Sequence, residues 1–231
     1  MKTQVTIVET TSGNRLVSKV SAALTQAVAG QGKLDPGILR LEGMSGKKYR
    51  LFINNLIGLL GDARYLEIGV WLGSTLCAAI NRNKVSALAI DNWSQFGGSA
   101  DRVLPNLERF KGEAAVRLLD GDFRAVNFAA IGKFNVYLFD GPHTAQDQFD
   151  GVTAALPALD DQFVLIIDDW NWSEVRVGTL KAVMEIGLRL DFAAEIRTTL
   201  DNTHPEPMAA GPNGDWHNGY FIATCTKPPH D

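Results

Sequence analysis

Short apolar runs alternate with helix-length segments along most of the chain. Five runs have the length of a buried strand, and they are separated by segments long enough for helices. The runs are Arg64–Ile68, Val85–Ile90, Ala115–Leu119, Phe134–Phe139 and Phe163–Ile167. This alternation predicts a mainly parallel sheet with helices on both faces. Ala193–Thr198 and Gly219–Thr224 predict two further strands, so we expect an α/β protein with a seven-stranded sheet.

The first sixty residues carry a weaker pattern. Val5–Val8 is compatible with a short strand, and Arg15–Val28 and Lys47–Leu60 have apolar residues at helical spacing. We therefore expect residues 1–61 to form an N-terminal helical cap and residues 62–231 to form the main domain.

An acidic residue stands at or near the end of each of the five runs. These residues are Glu67, Asp91, Asp120 (with Asp122 close behind), Asp140 and Asp168. In an open α/β sheet the ligand crevice lies at the carboxyl ends of the strands. Five acidic strand ends in succession therefore predict one shared polar crevice.

A glycine-containing turn follows the first of these strands. Gly69 would let the chain turn sharply, and Gly73 would let the next helix begin close to a ligand. The G-x-x-x-G spacing differs from the G-x-G-x-x-G of dinucleotide sites, and Trp71 would crowd a pyrophosphate. A tight turn without any ligand is the alternative interpretation.

Two positions after the next strands suit a nucleoside. Asp91 follows at the spacing where a carboxylate can accept hydrogen bonds from both ribose hydroxyls. Asp122 and Phe123 combine a hydrogen-bond acceptor with an aromatic face and could clamp an adenine. A capping Asp beside a core Phe is the competing interpretation.

A second polar group follows the fourth and fifth runs. If those strands are neighbours, about 4.8 Å apart, Asp140 and Asp168 come within reach of one ion, and Asp169 adds a third carboxylate. Such a set suits Mg²⁺ or another hard divalent cation. His143 suits a general base or a further ligand, with a purely structural histidine as the alternative.

Composition narrows the class of partner. The net charge of −4 argues against a nucleic-acid backbone or an anionic membrane surface. No apolar run approaches the ~18 residues of a membrane span, and the first fifteen residues lack the apolar core of a secretory signal. Cys77 and Cys225 lack metal-ligand spacing and predict free structural thiols. We therefore expect a cytoplasmic protein.

The segment Leu66–Ser74 resembles the first motif of the class I S-adenosylmethionine-dependent O-methyltransferases. Ile90-Asp91, Phe139-Asp140-Gly141 and Ile167-Asp168-Asp169 follow in that family's order and spacing. The likeness runs from about residue 44 to residue 171. It is strongest to the metal-dependent branch that includes the caffeoyl-CoA, catechol and macrolide-sugar O-methyltransferases. The resemblance implies a Rossmann-like methyltransferase fold that binds S-adenosylmethionine.

The resemblance, taken with the residues above, implies a set of site residues. Those expected at the cofactor are Met44, Ser45, Glu67, Gly69, Gly73, Ser74, Asp91, Asp122 and Asp140; those expected at the divalent cation are Asp140, Asp168 and Asp169. Two features depart from the caffeoyl-CoA pattern. Asp168-Asp169 replaces an Asp-Asn pair, and Pro142-His143 replaces a lysine and an asparagine, so plant phenolic substrates are not expected.

The expected activity is metal-assisted O-methylation of a small-molecule hydroxyl, with His143 taking the proton. Candidates for the acceptor wall are Trp170, Trp172, Trp216 and His217, although core packing is slightly favoured for Trp172. One alternative is a non-catalytic binding or assembly module with this fold, which the three aspartates weigh against. Another is a nicotinamide-dependent oxidoreductase, which Trp71 opposes. The sequence leaves a homodimer open.

Overall fold

The computed structural model describes residues 3–9, 13–205 and 214–229. Within them the chain forms eight strands and six α-helices. The strands are β1 (Gln4–Glu9), β2 (Arg64–Ile68), β3 (Ser86–Asp91), β4 (Ala115–Asp120), β5 (Phe134–Phe139), β6 (Leu159–Asp168), β7 (Arg189–Arg197) and β8 (Tyr220–Thr226). The helices are α1 (Leu16–Val28), α2 (Lys47–Leu59), α3 (Ser74–Ile80), α4 (Ala100–Phe110), α5 (Ala145–Ala155) and α6 (Ser173–Ile186).

The described strands belong to one mixed sheet, in the order β1-β7-β8-β6-β5-β2-β3-β4. The strands β6, β5, β2, β3 and β4 are parallel, whereas β8 is antiparallel to β6 and β7, and β1 is antiparallel to β7. The expected parallel arrangement holds for this block of five strands, but the sheet as a whole is mixed and has eight strands where seven were expected. The eighth strand is Gln4–Glu9, which pairs with the edge of the sheet through β7. Every residue of this strand is exposed, so its sequence carries no buried face that would reveal its partner.

Successive strand residues point to opposite faces of the sheet and build two cores. In β2, Tyr65 packs in the core that contains α1, α2 and α3, whereas Leu66 packs in the core that contains α5 and α6. Helices therefore cover both faces, as expected. Because the faces are covered, the carboxyl ends of the parallel strands remain as the edge where a ligand can enter.

The N-terminal segment contributes two of the helices on one face. Helix α1 buries a stripe of residues at helical spacing, and α2 packs against both α1 and α3. The two helices are present where the apolar spacing predicted them. The division of the chain at residue 61 stays a prediction.

Two expectations from the composition concerned the cysteines and membrane-spanning segments. Cys77 and Cys225 are free and buried, as expected of structural thiols. In the described ranges, none of the helices combines the length and the apolar character needed to cross a membrane.

Gly178 allows α6 to lie against α5. A Cβ at this position would be 2.1 Å from the carbonyl oxygen of Ala145. We predict that Gly178→Ala lowers the free energy of unfolding by roughly 1–3 kcal/mol, the range typical of overpacking, although alanine has the higher helix propensity. Urea unfolding followed by circular dichroism measures the change. The control is Gly61→Ala, whose Cβ would meet nothing within 4 Å; equal midpoints for the two variants would contradict the close contact.

Candidate functional site

A cleft of about 420 Å³ lies at the carboxyl ends of the parallel strands. Its volume is in the range typical of small-molecule sites. Residues that end or follow β2, β3, β4, β5 and β6 all line it: Gly69, Asp91, Asp122, Asp140, Asp168 and Asp169. The structure thus brings most of the acidic strand ends into one cleft, while Glu67 and Asp120 are not among its lining residues.

The turn between β2 and α3 is held in place by its neighbours. Gly69 has a left-handed φ of +89°, and a Cβ there would lie 1.8 Å from the carbonyl oxygen of Asp140. Glycine is therefore required by conformation and by space. One oxygen of the Asp91 carboxylate accepts the backbone N–H groups of Val70 (2.6 Å) and Trp71 (2.8 Å). Asp91 fixes the shape of the turn while it lines the cleft.

An aromatic loop, residues 93–98, forms part of the cleft wall. Trp93 donates its backbone N–H to the other Asp91 oxygen (2.6 Å) and its indole N–H to the carbonyl oxygen of Trp71 (3.0 Å). The Trp71 indole donates to the carbonyl oxygen of Phe96 (3.1 Å). All three aromatic residues line the cleft. Trp93 and Phe96 were not predicted as site residues; the available signal was their position shortly after Asp91, at the end of β3.

Asp122 caps a short helical turn and Phe123 packs in the core, as in the alternative interpretation of this pair. An Asp122 oxygen accepts the backbone N–H of Arg124 (2.9 Å). Phe123 is buried edge-on against Phe139, with ring centres 5.3 Å apart. Both residues also line the cleft, so packing and a place beside a nucleoside are compatible.

Four of the expected cofactor residues are not among the residues that line the cleft: Ser45, Glu67, Gly73 and Ser74. The hydroxyl oxygens of Ser45 and Ser74 are 3.0 Å apart, and the adjacent Met44 lines the cleft. Glu67 is fully buried and accepts the Tyr65 hydroxyl (2.7 Å) through one oxygen. Its other oxygen, Oε1, has no hydrogen-bond partner among the described residues.

Three carboxylates converge at the ends of β5 and β6. Burial, followed by the charge of adjacent carboxylates, raises the pKa of Asp140 and of Asp168 well above the usual value. One oxygen of Asp168 accepts the backbone N–H of Asp169 (2.8 Å). Donor atoms of Asp140, His143 and Asp169 all lie within 4.8 Å of one another. Among the described residues this donor group contains His143, whereas Asp168 lines the same cleft beside Asp140 but is not part of the group.

His143 is oriented by its neighbours. Its Nε2 lies 2.7 Å from Asp169 Oδ2, and its ring packs edge-on against Trp172, with ring centres 4.9 Å apart. Asn218 donates to the other Asp169 oxygen (2.8 Å). Burial by itself would raise the pKa of Asp169, but the hydrogen bond and charge of His143 and the other polar neighbours hold that pKa below its usual value. The imidazole thus contacts a carboxylate that favours the ionised form.

The aromatic residues expected around the acceptor divide into two groups. Trp170 and Trp216 are buried and do not line the cleft, and Trp170 stacks on Phe221. Trp172 and His217 line the cleft, and Trp172 also packs against the core on the α5 and α6 face, so both interpretations of Trp172 are compatible with the structure. His204 lines it as well and was not identified from the sequence. Residues 206–213 of the long loop before β8 lie outside the described residues.

Glu67 gives a pH-dependent prediction. Burial raises its pKa from 4.5 to about 8, against the lowering effect of the Tyr65 hydrogen bond. The folded chain therefore keeps a proton that the unfolded chain loses, and this contribution to stability declines as pH rises from about 5 to about 8. We predict that the wild type loses stability relative to Glu67→Gln over this range, by at most ~1.4 kcal/mol per pH unit.

Urea unfolding at each pH measures this difference. Glu108→Gln, on the exposed side of α4, is the control and should follow the wild type. Parallel stability profiles for the wild type and Glu67→Gln would show that Glu67 is ionised in the fold.

Comparison with a family model supports methyltransferase activity. Residues 66–170 match a family model described as a methyltransferase domain. The matched segment contains the glycine turn, Asp91, Asp140 and the Asp168-Asp169 pair, and it supports an S-adenosylmethionine-dependent methyltransferase. A search of curated proteins found no significant match.

Solved structures share the fold at low sequence identity. An O-methyltransferase from Bacillus cereus in complex with SAH matches with a TM-score of 0.51 and 16% identity, over 90% of this chain and 90% of its own. PH1948 from Pyrococcus horikoshii, described as a candidate RNA methyltransferase, matches with a TM-score of 0.50 and 15% identity, over 92% and 100%. TrmN from Thermus thermophilus matches with a TM-score of 0.50 and 13% identity over 78% of this chain, which spans 49% of TrmN. Identities this low show the Rossmann-like fold alone.

Proposed function

We propose that this methyltransferase transfers the methyl group of S-adenosylmethionine to a hydroxyl group of a small molecule. The proposal rests on the His143–Asp169 contact of 2.7 Å, which lies in the same cleft as the glycine turn and Asp91. A base that is oriented by a carboxylate suits the removal of a hydroxyl proton. The features needed for cofactor binding and for proton removal therefore share one cleft.

The side of the cleft formed by β2, β3 and β4 suits the nucleoside part of the cofactor. Gly69 leaves no side chain over the turn. The Asp91 oxygen that accepts the N–H of Trp93 retains a lone pair for a ribose hydroxyl. Asp122 borders the same side, and Trp93 offers an aromatic face to an adenine. S-Adenosylmethionine, when bound, supplies a methyl group activated by a positively charged sulfonium.

The side of the cleft formed by β5 and β6 suits the acceptor. Asp169 accepts the Nε2–H of His143, which leaves Nδ1 free to take the acceptor's hydroxyl proton. The acceptor O–CH₃ bond forms as the S–CH₃ bond breaks, and S-adenosylhomocysteine leaves as the product. Asp169 stabilises the imidazolium that results, and Asn218 holds Asp169 in position. Trp172 provides an apolar surface beside the base.

A divalent cation is compatible with the same end of the cleft. Carboxylate oxygens are the donors that Mg²⁺ and similar ions prefer, and Asp140 and Asp169 present theirs within 4.8 Å of each other, next to Asp168. A cation here would offset the burial and the mutual repulsion that raise the pKa of Asp140. We propose these aspartates as the residues that would hold it. Such an ion would lower the pKa of an acceptor hydroxyl.

Charge favours a small acceptor over a nucleic acid. Arg124 is the single lysine or arginine among the described residues that line the cleft. Its guanidinium is already paired with Asp122, Asp147 and Asp150. The acidic cleft and the net charge of −4 would repel a phosphate backbone. We therefore propose a small-molecule acceptor.

Asp91 provides a test of cofactor binding. We predict that Asp91→Ala weakens the binding of S-adenosylhomocysteine by roughly tenfold or more, because a charged hydrogen-bond acceptor and the anchor of the turn are lost together. Isothermal titration calorimetry measures the dissociation constant. Asp120→Ala, an exposed acid at the end of the neighbouring strand, is the matched control and should bind as the wild type does. A wild-type protein that binds no S-adenosylhomocysteine would overturn the proposed function.

His143 provides a test of the chemistry. We predict that His143→Gln lowers turnover by ~10²-fold or more, as is typical for loss of a general base, while S-adenosylhomocysteine still binds. Release of S-adenosylhomocysteine is followed with a panel of catechols and sugars as acceptors, in the presence of Mg²⁺. His204→Gln is the control, because its ring lies against His217 in the same cleft. A normal rate in His143→Gln would assign proton removal to another group, and cofactor binding without turnover on any acceptor would favour a binding module.

A further inference from the structure

Asn171 lies two residues after Asp169, and its side chain joins segments of the chain that are far apart in sequence. Its Nδ2 donates to Thr198 Oγ1 (2.8 Å), just after β7, and to Asn218 Oδ1 (2.9 Å), just before β8. Its Oδ1 accepts the backbone N–H groups of Thr198 (2.9 Å) and Thr199 (3.3 Å). An asparagine amide has two hydrogens and two lone pairs, and all four are used here. Because the side chain is also fully buried, the amide is held in one orientation.

The orientation of Asn218 follows from that of Asn171. Because Asn218 Oδ1 accepts an N–H of Asn171, its Nδ2 is directed to the other side, where it donates to Asp169 Oδ1 (2.8 Å). A flipped Asn218 amide would place two N–H groups face to face and would turn its oxygen toward the Asp169 carboxylate. Both mismatches are unfavourable in a buried site. Asn171 therefore decides that Asn218 presents a donor to Asp169.

This line of contacts ends at the proposed base. Asp169 Oδ2 lies 2.7 Å from His143 Nε2, while the other oxygen, Oδ1, accepts from Asn218. Rotation of the Asp169 carboxylate would break one of these two contacts. The restraint on the His143 imidazole thus begins at Asn171, three contacts away.

A second branch from Asn171 reaches the wall of the cleft. Thr198 Oγ1, which accepts an N–H of Asn171, donates its own hydrogen to the carbonyl oxygen of His217 (2.9 Å). His217 lines the cleft and has a left-handed φ of 42°, a conformation that a residue other than glycine adopts only when its surroundings support it. The same amide therefore supports a residue of the cleft wall and the base.

The space for the Asn171 amide is kept open by a glycine. Gly219 has a φ of +86°, and a Cβ there would lie 2.5 Å from the carbonyl oxygen of Ile196 and 2.9 Å from Asn171 Oδ1. The backbone N–H of Asn171 also donates to the carbonyl oxygen of Asn218 (3.0 Å). Main chain and side chain thus hold the same segments together, which gives the rigidity that a positioning group requires.

We infer that Asn171 is a positioning residue for the methyl transfer: through Asn218 and Asp169 it holds the His143 imidazole at the acceptor hydroxyl. The inference rests on the proposed function and adds to it a residue that does not itself line the cleft. Positioning matters because a displacement of about 1 Å in a reacting group can cost a hundredfold in rate.

Asn171→Asp tests the inference with a side chain of the same size. The carboxylate can still accept the backbone N–H groups of Thr198 and Thr199, but it cannot donate to Asn218, whose amide is then free to turn away from Asp169. We expect kcat to fall roughly tenfold to a hundredfold. The affinity for S-adenosylhomocysteine and the KM for S-adenosylmethionine should stay within about twofold, as expected when transition-state positioning alone is lost. Turnover is measured with the acceptor panel at saturating Mg²⁺ and is divided by the number of sites that bind S-adenosylhomocysteine in calorimetry.

A second measurement separates positioning from general support of the fold. In a His143→Gln background the base is absent, so Asn171→Asp should lower turnover by less than about twofold. Support of the fold alone would give the same fractional loss in both backgrounds. Asn135→Asp is the matched control, because Asn135 is also buried and its amide holds the backbone of Arg64 and Asp62 at the opposite end of the sheet. Its turnover per binding site should match that of the wild type.

Two outcomes would overturn the inference: unchanged turnover per site in Asn171→Asp, or an equal fractional loss with and without His143. If Asn171→Asp does not fold, Thr198→Val keeps a similar shape and removes the hydroxyl that accepts from Asn171. It should lower kcat severalfold in the wild-type background and not in the His143→Gln background, and equal losses would again overturn the inference. Wild-type turnover tests the proposed function separately: if no acceptor is methylated, that function fails and the inference fails with it.

Discussion

The carbonyl oxygen of Asp140 occupies the space where a side chain of residue 69 would lie, 1.8 Å from the Cβ position. This contact between the ends of β2 and β5 sets the geometry of the whole cleft. It requires glycine at position 69, and it packs the turn against the strand end that carries Asp140. The Asp91 carboxylate then fixes the same turn from the other side through Val70 and Trp71. Turn and acidic cluster are therefore positioned by each other.

Charged and aromatic residues occupy different sides of the cleft, which suggests separate roles for the two sides. Carboxylates collect at the ends of β5 and β6, where His143 contacts Asp169. Aromatic residues border the nucleoside side. Arg50 and Glu67 are fully buried and do not line the cleft. Burial raises the pKa of Glu67 to about 8, so its carboxyl group is protonated at neutral pH.

The apolar pattern of the sequence was sufficient to predict most of the strands and helices. It was not sufficient to predict which of two adjacent side chains belongs to the site. Apolar runs located the parallel strands, because strands buried on both faces read as continuous apolar segments. The same runs could not distinguish Asp168 from Asp169 as the donor beside His143, or Trp170 from Trp172 as the cleft residue. In each pair both residues suit the site chemically. The backbone after β6, where Asp169 has a left-handed φ of 57°, decides that Asp169 contacts His143 and that Trp172 lines the cleft.

The sequence by itself determined the strand-and-helix alternation, the glycine turn and the acidic strand ends, because each depends on residues that are neighbours along the chain. Tertiary structure alone decided the partner of β1, the placement of Trp93 and Phe96 beside the turn, and the contacts of Ser45 with Arg50 and Ser74. These features join segments that are separated in sequence or turned by loops of irregular backbone. Periodicity carries no information about such contacts, since it reports which face of an element is buried and not what lies against it.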